Sequence, residues 1–430
     1  MKSVRIGIAG LGTVGSGVAR ILVENKDKIR KHIGFDLELK RIATLDKSQL
    51  APIGIDHLIT DDLNSLLDDD IDIVVETIGG IETAKNFIES ALAGKGVVTA
   101  NKALLAQYGI DLIKTARKYH TELAFEAAVA GGIPIIRVIK DGLSSDKILS
   151  IRGIVNGTAN FVLSRMLSEK QEFDDALNFA RKSGFAERDP SFDVDGIDSA
   201  HKAAIIALVA FGYPAGFSDV WYEGIRKITY QDLKIAYDLG YKIKLIATAK
   251  KQDGLLDIRV HPEMIKMNDF LAKTDGVYNA ITVRGKYSGK TTYVGKGAGS
   301  LPTANSIVAD IMDMAKRMRY EGFGTVFPSG FDKLGSFELK KKESLKLKYY
   351  LRFSAVDKPS VLSAISGILG ENDISIHSMI QIGRSGNGFV PLIIMTHSSD
   401  ENSIRRALSR IDALNVIAKP TVLIRIAEDE

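Results

Sequence analysis

Apolar and polar positions along this chain change period several times, and the changes mark its organisation. Residues 4–9 form a short apolar run, after which Val14, Val18, Ile21, Leu22, Ile29 and Ile33 recur at helical spacing up to Gly34. Strand-like runs follow at residues 37–43, 71–76 and 96–99, separated by helical stretches near residues 61–67 and 82–93. This alternation predicts an α/β domain over residues 1–135, built on a doubly wound parallel sheet. Residues 136–327 mix alternating strands with amphipathic helices and read as an α+β domain, with a helix over residues 302–320 expected to return to the first domain. Residues 328–344 carry Pro328, Gly330 and Gly335 followed by three lysines, and read as a linker.

A new pattern begins at Leu345, where Leu345, Leu347, Tyr349, Leu351 and Phe353 alternate as a half-buried strand. A helix follows Pro359, then strands near residues 374–382 and 389–396, a helix from Asn402 and a last strand near residues 416–424. That βαββαβ order is the ferredoxin-like plan, assigned to residues 345–430. It bears no catalytic cluster, so a regulatory or oligomerising role is expected. The polar boundary predicts that the upstream core folds without it.

Composition narrows the chemistry. A length of 430 residues implies two or three domains. The 57 basic and 53 acidic residues nearly cancel, and no basic stretch is interleaved with aromatic side chains, so nucleic acid is not an expected partner. The longest apolar helix, near residues 203–211, is far shorter than the roughly 20 residues a bilayer requires, which predicts a soluble, cytoplasmic protein with no membrane partner. Cysteine is absent, which removes disulfides, thiolate ligands and a thiohemiacetal route to aldehyde oxidation. With a nicotinamide site, direct hydride transfer remains.

The nicotinamide site is suggested by the first turn, IGIAGLGTVGSG, where Gly10, Gly12 and Gly15 have G-x-G-x-x-G spacing around Leu11, Thr13 and Val14. Gly10 suits a tight turn, Gly12 lets backbone approach a pyrophosphate, and Gly15 permits close helix packing. The helix that follows turns its amides toward the phosphates. Ligands in such a sheet bind beyond the strand carboxyl ends, which brings in Thr77 and Gly79 of TIGG and Lys102 of ANK. After the second strand Asp46 argues for NAD, while Arg41 and Lys47 keep NADP open.

The middle domain holds a dense polar cluster, AERDPSFDVDGIDSAHK, with Glu187, Asp189, Asp193, Asp195, Asp198 and Lys202. Asp198 and Lys202, four apart, share a helical face, where a lysine held beside carboxylates can bind polar groups and move protons. The EF-hand calcium pattern is not met. His201, a quarter turn away, reads as structural. Gly295, Gly297 and Gly299 precede another helix, a geometry that favours anions or simply returns the chain to the first domain.

Taken in order, GLGTVGSG, ETIGG, TANKALLA, FEAAVAGGIP, GIVNGTANFVL, AERDPSFDVDGIDSAHK and GAGSLPTANS resemble the homoserine dehydrogenases, and DKPSVLSAISGILGENDISI resembles an ACT domain. The resemblance spans nearly the whole chain. It implies a Rossmann-type sheet, an α+β substrate and dimerisation domain, and reversible NAD(P)-dependent conversion of L-homoserine to L-aspartate 4-semialdehyde in threonine, methionine and isoleucine biosynthesis. By that resemblance Lys102 lies between nicotinamide and substrate, and Lys202 is the acid/base. Glu187 and Asp198 hold the substrate amino group and hydroxyl, and Asn156, Gly157 and Thr158 line the cleft. Glu126, Val129, Gly131 and Ile133 match a Na+ or K+ site made largely of backbone carbonyls. A homodimer or higher homo-oligomer is expected. Asp357, Pro359, Ser360, Asn372 and Ile374 are candidates for binding an amino-acid effector such as threonine.

The chain departs from the family pattern at Ala159 and Phe161, where Thr and Tyr are usual, at Leu45, where NADP-preferring members often carry Arg, and at Ser360, where Gly is common. Two other classes fit the scaffold: a dehydrogenase for a different small molecule, and a non-catalytic amino-acid sensor. The Glu187, Asp198 and Lys202 constellation argues against a substrate without an ammonium group. The intact glycine fingerprint and both lysines argue against a sensor.

Overall fold

A computed structural model describes residues 3–45, 54–320, 338–381 and 388–428. Six strands, β1 (Ser3–Ala9), β2 (Asp36–Ala43), β3 (Ile59–Thr60), β4 (Ile73–Glu76), β5 (Gly96–Thr99) and β6 (Leu123–Ala124), pair in parallel in the order β3-β2-β1-β4-β5-β6. This is the doubly wound order, and its reversal point lies between β1 and β4. Strands β4 and β5 are buried along their whole length, as their unbroken apolar runs require.

Two helical expectations are corrected here. The periodic stretch up to Gly34 is not one helix: it breaks at Asn25 into Thr13–Glu24 and Lys26–Ile33, and Gly34, with φ +86°, closes the second. Residues 61–67 form only a 3-10 turn at Asn64–Leu67. There the Thr60 hydroxyl accepts from the Asp62 amide and the Asp62 carboxylate accepts from the Asn64 amide, so side chains compete for the bonds a helix would use.

The second sheet contains β7 (Ile148–Ile154), β8 (Trp221–Tyr222), β9 (Tyr241–Gln252), β10 (Leu255–Lys266), β11 (Tyr278–Gly285) and β12 (Gly289–Lys296). It continues through β13 (Glu338–Leu339), β14 (Lys346–Val356), β15 (Ile376–Gln381), β16 (Phe389–Thr396), β17 (Ser399–Asp400) and β18 (Ile417–Ile426). Strands β9 and β10 form a hairpin through Asp253 and Gly254, both at positive φ, the pairing a two-residue turn demands. After β12 the helix Ser300–Tyr320 crosses back to the first domain, where Ala304, Ile307, Ile311 and Met314 join the core around β1.

The C-terminal βαββαβ unit has the strand order β18-β14-β16-β15. Its first strand and helix are Lys346–Val356 and Val361–Glu371, and its second helix is Glu401–Asp412. The unit is not a bead on a string. Strand β18 pairs in parallel with β10, Glu263 opposite Arg425 and Met264 opposite Ile426, so one sheet runs through both domains. Of the linker expected at residues 328–344, residues 328–337 lie outside the described part. Within the rest, β13 pairs with the start of β10, and Lys342–Ser344 is a 3-10 turn.

Arg352 on β14 donates to both oxygens of Asp232, at 2.6 and 2.9 Å, and Tyr350 donates to the same fully buried carboxylate. Stripping a partner from such a buried pair costs about 3–5 kcal/mol. This buried seam, which the pattern could not reveal, weighs against the expectation of a core that folds without its tail. Among the described residues no helix is long and apolar enough to cross a membrane.

Candidate active site

The glycine turn is built as the spacing requires. Gly10 has φ +94°, and a Cβ there would strike the Thr77 carbonyl. A Cβ at Gly15 would overlap the Gly10 carbonyl, whereas one at Gly12 would meet nothing within 4 Å. Gly12 precedes the helix Thr13–Glu24, whose N-terminus receives no side-chain cap. Its amide donors therefore face the open side of the turn, as a pyrophosphate needs. The residues thus fit a dinucleotide on this backbone of Gly10, Leu11, Gly12, Thr13, Val14 and Gly15.

Thr77 braces the turn from behind, its hydroxyl donating to the carbonyls of Ala9 and Gly10 at 3.0 and 2.9 Å. Gly79 and Gly80, both at positive φ, form a loop that Glu76 holds by accepting the Ile78 and Gly79 amides. Burial pushes the Glu76 carboxyl up, against hydrogen bonds led by Thr99. Asn101 ties this loop to the next, donating to the Gly80 carbonyl at 2.6 Å and capping the helix Lys102–Lys118 at the Leu104 amide. Lys102 is thereby the first residue of that helix. The position is unfavourable for a cation beside the positive end of the helix dipole unless a carboxylate faces it.

Asp198 is that carboxylate. It lies in the first turn of the helix Ile197–Phe211, its side chain 3% exposed, and bridges both candidate lysines. Lys102 Nζ is 2.8 Å from one oxygen and Lys202 Nζ 2.7 Å from the other. Lys202 also donates to the Val155 carbonyl at 2.7 Å. Asn156 completes the arrangement: its amide nitrogen donates to Asp198 and Asp193, at 2.8 and 2.7 Å, while its oxygen caps the helix Gly157–Ser168.

The charges respond to this geometry. Burial alone would raise the Asp198 carboxyl, but the two ammonium groups hold it well below the usual carboxylate range. Burial lowers Lys202, with Lys102 adding repulsion, and Asp198 only partly offsets the change. Lys102, its side chain 39% exposed, also feels burial, yet Asp198, Asp193 and Glu187 raise it overall. The two lysines are thus driven in opposite directions, one toward proton exchange and one toward a permanent charge.

The remaining candidates fall into three groups. At the cleft, Gly157 lets its helix approach the Val277 carbonyl, Thr158 donates to the Phe185 carbonyl at 2.7 Å, and Glu187 is exposed at the rim. His201 packs between Phe192 and Phe217 with its Nδ1 unpartnered among the described residues, and burial lowers it, consistent with a structural role. Asp193, not singled out as a site residue from the sequence, joins through Asn156; a polar residue five positions before a helical carboxylate offers no signal by itself.

Near the second glycine loop, a Cβ at Gly297 would overlap the buried Asn279 amide, which has no hydrogen-bond partner among the described residues. The Gly132 amide donates to the Lys296 carbonyl, joining this loop to the candidate cation segment. In that segment the carbonyls of Glu126, Gly131 and Ile133 already accept from Val129, Ser306 and Ile135. The Glu126 carboxylate caps Ile136 and Arg137. Asp46 lies outside the described residues.

The candidate effector residues do not form one cluster within the chain. Asp357, Pro359 and Ser360 precede the helix Val361–Glu371, and Asn372 and Ile374 follow it, about 16 Å away along the axis of this 11-residue helix. Asn372 donates to the Ile368 carbonyl and Ile374 is buried, so both finish the helix. Ser360 has φ +70°, a conformation glycine adopts more readily.

Comparison with known proteins agrees along the whole chain. Family models described as the homoserine dehydrogenase NAD-binding domain, homoserine dehydrogenase and the ACT domain match residues 10–126, 134–312 and 349–416. Homoserine dehydrogenase of Neisseria gonorrhoeae is 39% identical over 432 residues, covering 99% of each chain. The crystal structure of a homoserine dehydrogenase from Thiobacillus denitrificans superposes with a TM-score of 0.94 at 39% identity, covering 100% of this chain and 99% of that one. A hyperthermophilic archaeal homoserine dehydrogenase in complex with NADPH matches 73% of this chain and 98% of its own, at 28% identity and a TM-score of 0.62. With its nucleotide turn, its shared-carboxylate lysine pair and these matches, the chain belongs to the homoserine dehydrogenase family and carries a C-terminal ACT domain.

Proposed function

We propose that this protein interconverts L-homoserine and L-aspartate 4-semialdehyde with NAD(P), within threonine, methionine and isoleucine biosynthesis. The observation that carries the reading is the Lys102–Asp198–Lys202 bridge where the strand ends of the nucleotide domain meet the substrate domain. Bound nicotinamide supplies the hydride acceptor for homoserine and the donor for the semialdehyde. The residues of the chain handle the proton and the charge.

In the oxidation, neutral Lys202 takes the hydroxyl proton; in the reduction, its ammonium returns a proton to the carbonyl oxygen. Lys102 stays cationic and faces that oxygen as negative charge develops. Asp198 has both oxygens occupied by the lysines and Asn156, so we assign it to holding the lysines rather than gripping the substrate directly. Glu187, exposed at the rim, offers its carboxylate to the substrate ammonium, and Asn156, Gly157 and Thr158 line the path between.

Coenzyme preference rests on Asp46 in this reading: Asp46→Ala should weaken NAD and shift the kcat/KM ratio toward NADP, and an unchanged ratio removes the residue from the role. Na+ or K+ at Glu126, Val129, Gly131 and Ile133 would use lone pairs left beside existing hydrogen bonds, and no step depends on it. A second copy of the chain and an amino-acid effector at the ACT domain complete the proposal. The test is the absorbance of reduced nicotinamide in the purified full chain, followed in both directions. Homoserine-dependent reduction of NAD+ or NADP+ supports the reading, and turnover only with an alcohol lacking an amino group overturns it.

A further inference from the structure

A fully buried guanidinium in the ACT domain acts on the segment that backs the catalytic turn. Arg425 donates to Glu223 at 2.7 Å and to the two oxygens of Glu401 at 2.5 and 3.1 Å, with the Trp221 ring 4.3 Å from its guanidinium. Arg405 donates to the same Glu223 at 2.8 Å. Glu223 is therefore a residue of the substrate domain held by two arginines of the other domain.

The opposite side of this segment faces the active site. The Glu223 amide donates to the Val260 carbonyl, and a Cβ on Gly196 would lie 3.2 Å from the Glu223 carbonyl. The Ile225 amide donates to the Val194 carbonyl at 2.8 Å, and Arg226 pairs with Asp195. Residues 221–226 thus back residues 191–196, which present Asp193 to Asn156 and lead, through Gly196 at φ +87°, into the helix bearing Asp198 and Lys202.

We infer that Glu223 is a positioning residue for the dehydrogenase reaction: gripped by Arg425 and Arg405, it fixes the turn that aims Asp198 at the lysines, so the placement of the ACT domain is felt at the catalytic centre. The inference rests on the assignment of Lys202 as the acid/base group. A misplacement of about 1 Å at a remote brace is enough to cost up to roughly 100-fold in rate. The charged and titratable groups around Lys202 are Asp198, Asp193, Lys102 and the neighbouring His201, with Glu187 acting on Lys102. If Asp198 draws away, burial and Lys102 are less opposed, so Lys202 loses its proton at lower pH.

The experiment compares Glu223→Gln, Arg405→Gln and the double variant in the full chain. Glu223→Gln should lower kcat for homoserine oxidation by roughly 10-fold, leave the KM for NAD(P)+ unchanged, and move the acid limb of the kcat/KM profile to lower pH. Arg405→Gln should do the same to a smaller degree, and the double variant should be no worse than Glu223→Gln. A loss of thermal stability with the wild-type profile overturns the inference, as does wild-type kinetics. Should Glu223→Gln fail to fold, Arg405→Gln decides, since its side chain is 45% exposed. Lys202→Ala serves as the control: if it keeps the acid limb, the acid/base assignment falls, while the kcat and cofactor-KM readings still judge Glu223.

Discussion

At the active site one carboxylate, Asp198, is shared by two ammonium groups, whereas at the seam with the ACT domain one guanidinium, Arg425, is shared by two carboxylates. The shared group is buried in both clusters, and both are satisfied by hydrogen bonds. They differ in what the cation can do. A buried lysine ammonium gives up its proton more readily than one in water, as burial does to Lys202, so the first cluster can take part in chemistry. A guanidinium keeps its charge in proteins, so the second can only hold. Similar ionic geometry is thus a reaction centre in one place and a rivet in the other, and the choice of cation decides which.

Replacing the reactive cation should give the largest effect. Lys202→Ala is expected to lower kcat by about 100-fold or more while leaving NAD(P) binding and the melting temperature close to wild type, because Lys102 still balances Asp198. Steady-state kinetics with cofactor titration checks this, and near wild-type turnover removes Lys202 from the mechanism. Replacing the rivet should show first in stability. Arg425→Met is expected to lower stability by about 3–5 kcal/mol, leaving Glu223 and Glu401 with Arg405 as their remaining guanidinium, and denaturant unfolding measures the loss. An unchanged midpoint would show that the seam contributes little.

A smaller effect tests the rim of the first cluster. Glu187→Gln should raise the KM for homoserine several-fold by removing a charged acceptor for the substrate ammonium, worth about 1.5–3 kcal/mol at most, with the KM for NAD(P)+ unmoved. Equal shifts in both constants would point to the fold or the cofactor instead.

The smallest effect concerns a carboxylate whose one guanidinium partner, Arg137, is 3.4 Å away and does not offset its burial. Asp310, on the helix that returns to the nucleotide domain, donates no proton to a base and instead accepts the Glu126 amide. Burial and the Glu126 charge push it up to about 7. A raised folded pKa contributes stability that is complete below its unfolded value of 3.8 and is lost as pH rises through about 7. The melting temperature should fall across that window, and Asp310→Asn should flatten the slope; an unaltered slope assigns it to other groups.

The sequence revealed what local geometry dictates. Gly10 and Gly15 announced a turn because a Cβ at either would strike backbone, and Asp198 and Lys202 could be paired because four residues make one helical turn. Lys102 was legible as a loop-end lysine, but its meeting with Asp198, 96 positions away, arises only from packing. Residues 61–67 misled because Thr60 and Asp62 satisfy amides that a helix would have claimed. The seam was hidden for a different reason: Arg425 and Glu223 are 202 positions apart, and neither sits in a pattern that names its partner. Asn372 and Ile374 were grouped with Asp357 by a family motif, although the intervening helix holds them apart.

The returning helix Ser300–Tyr320 also bears on how the chain is made. All six strands of the nucleotide sheet have been synthesised by residue 124, yet Ile307, Ile311 and Met314 complete the core around β1, and the Ser300 hydroxyl bonds the Thr13 carbonyl 287 residues upstream. At about 5–20 residues per second, translation leaves that half-finished domain waiting roughly 10–40 s for its last wall. During this interval the apolar face destined for the helix is open on the ribosome, so the N-terminal domain begins first and is completed only after the substrate domain has been synthesised.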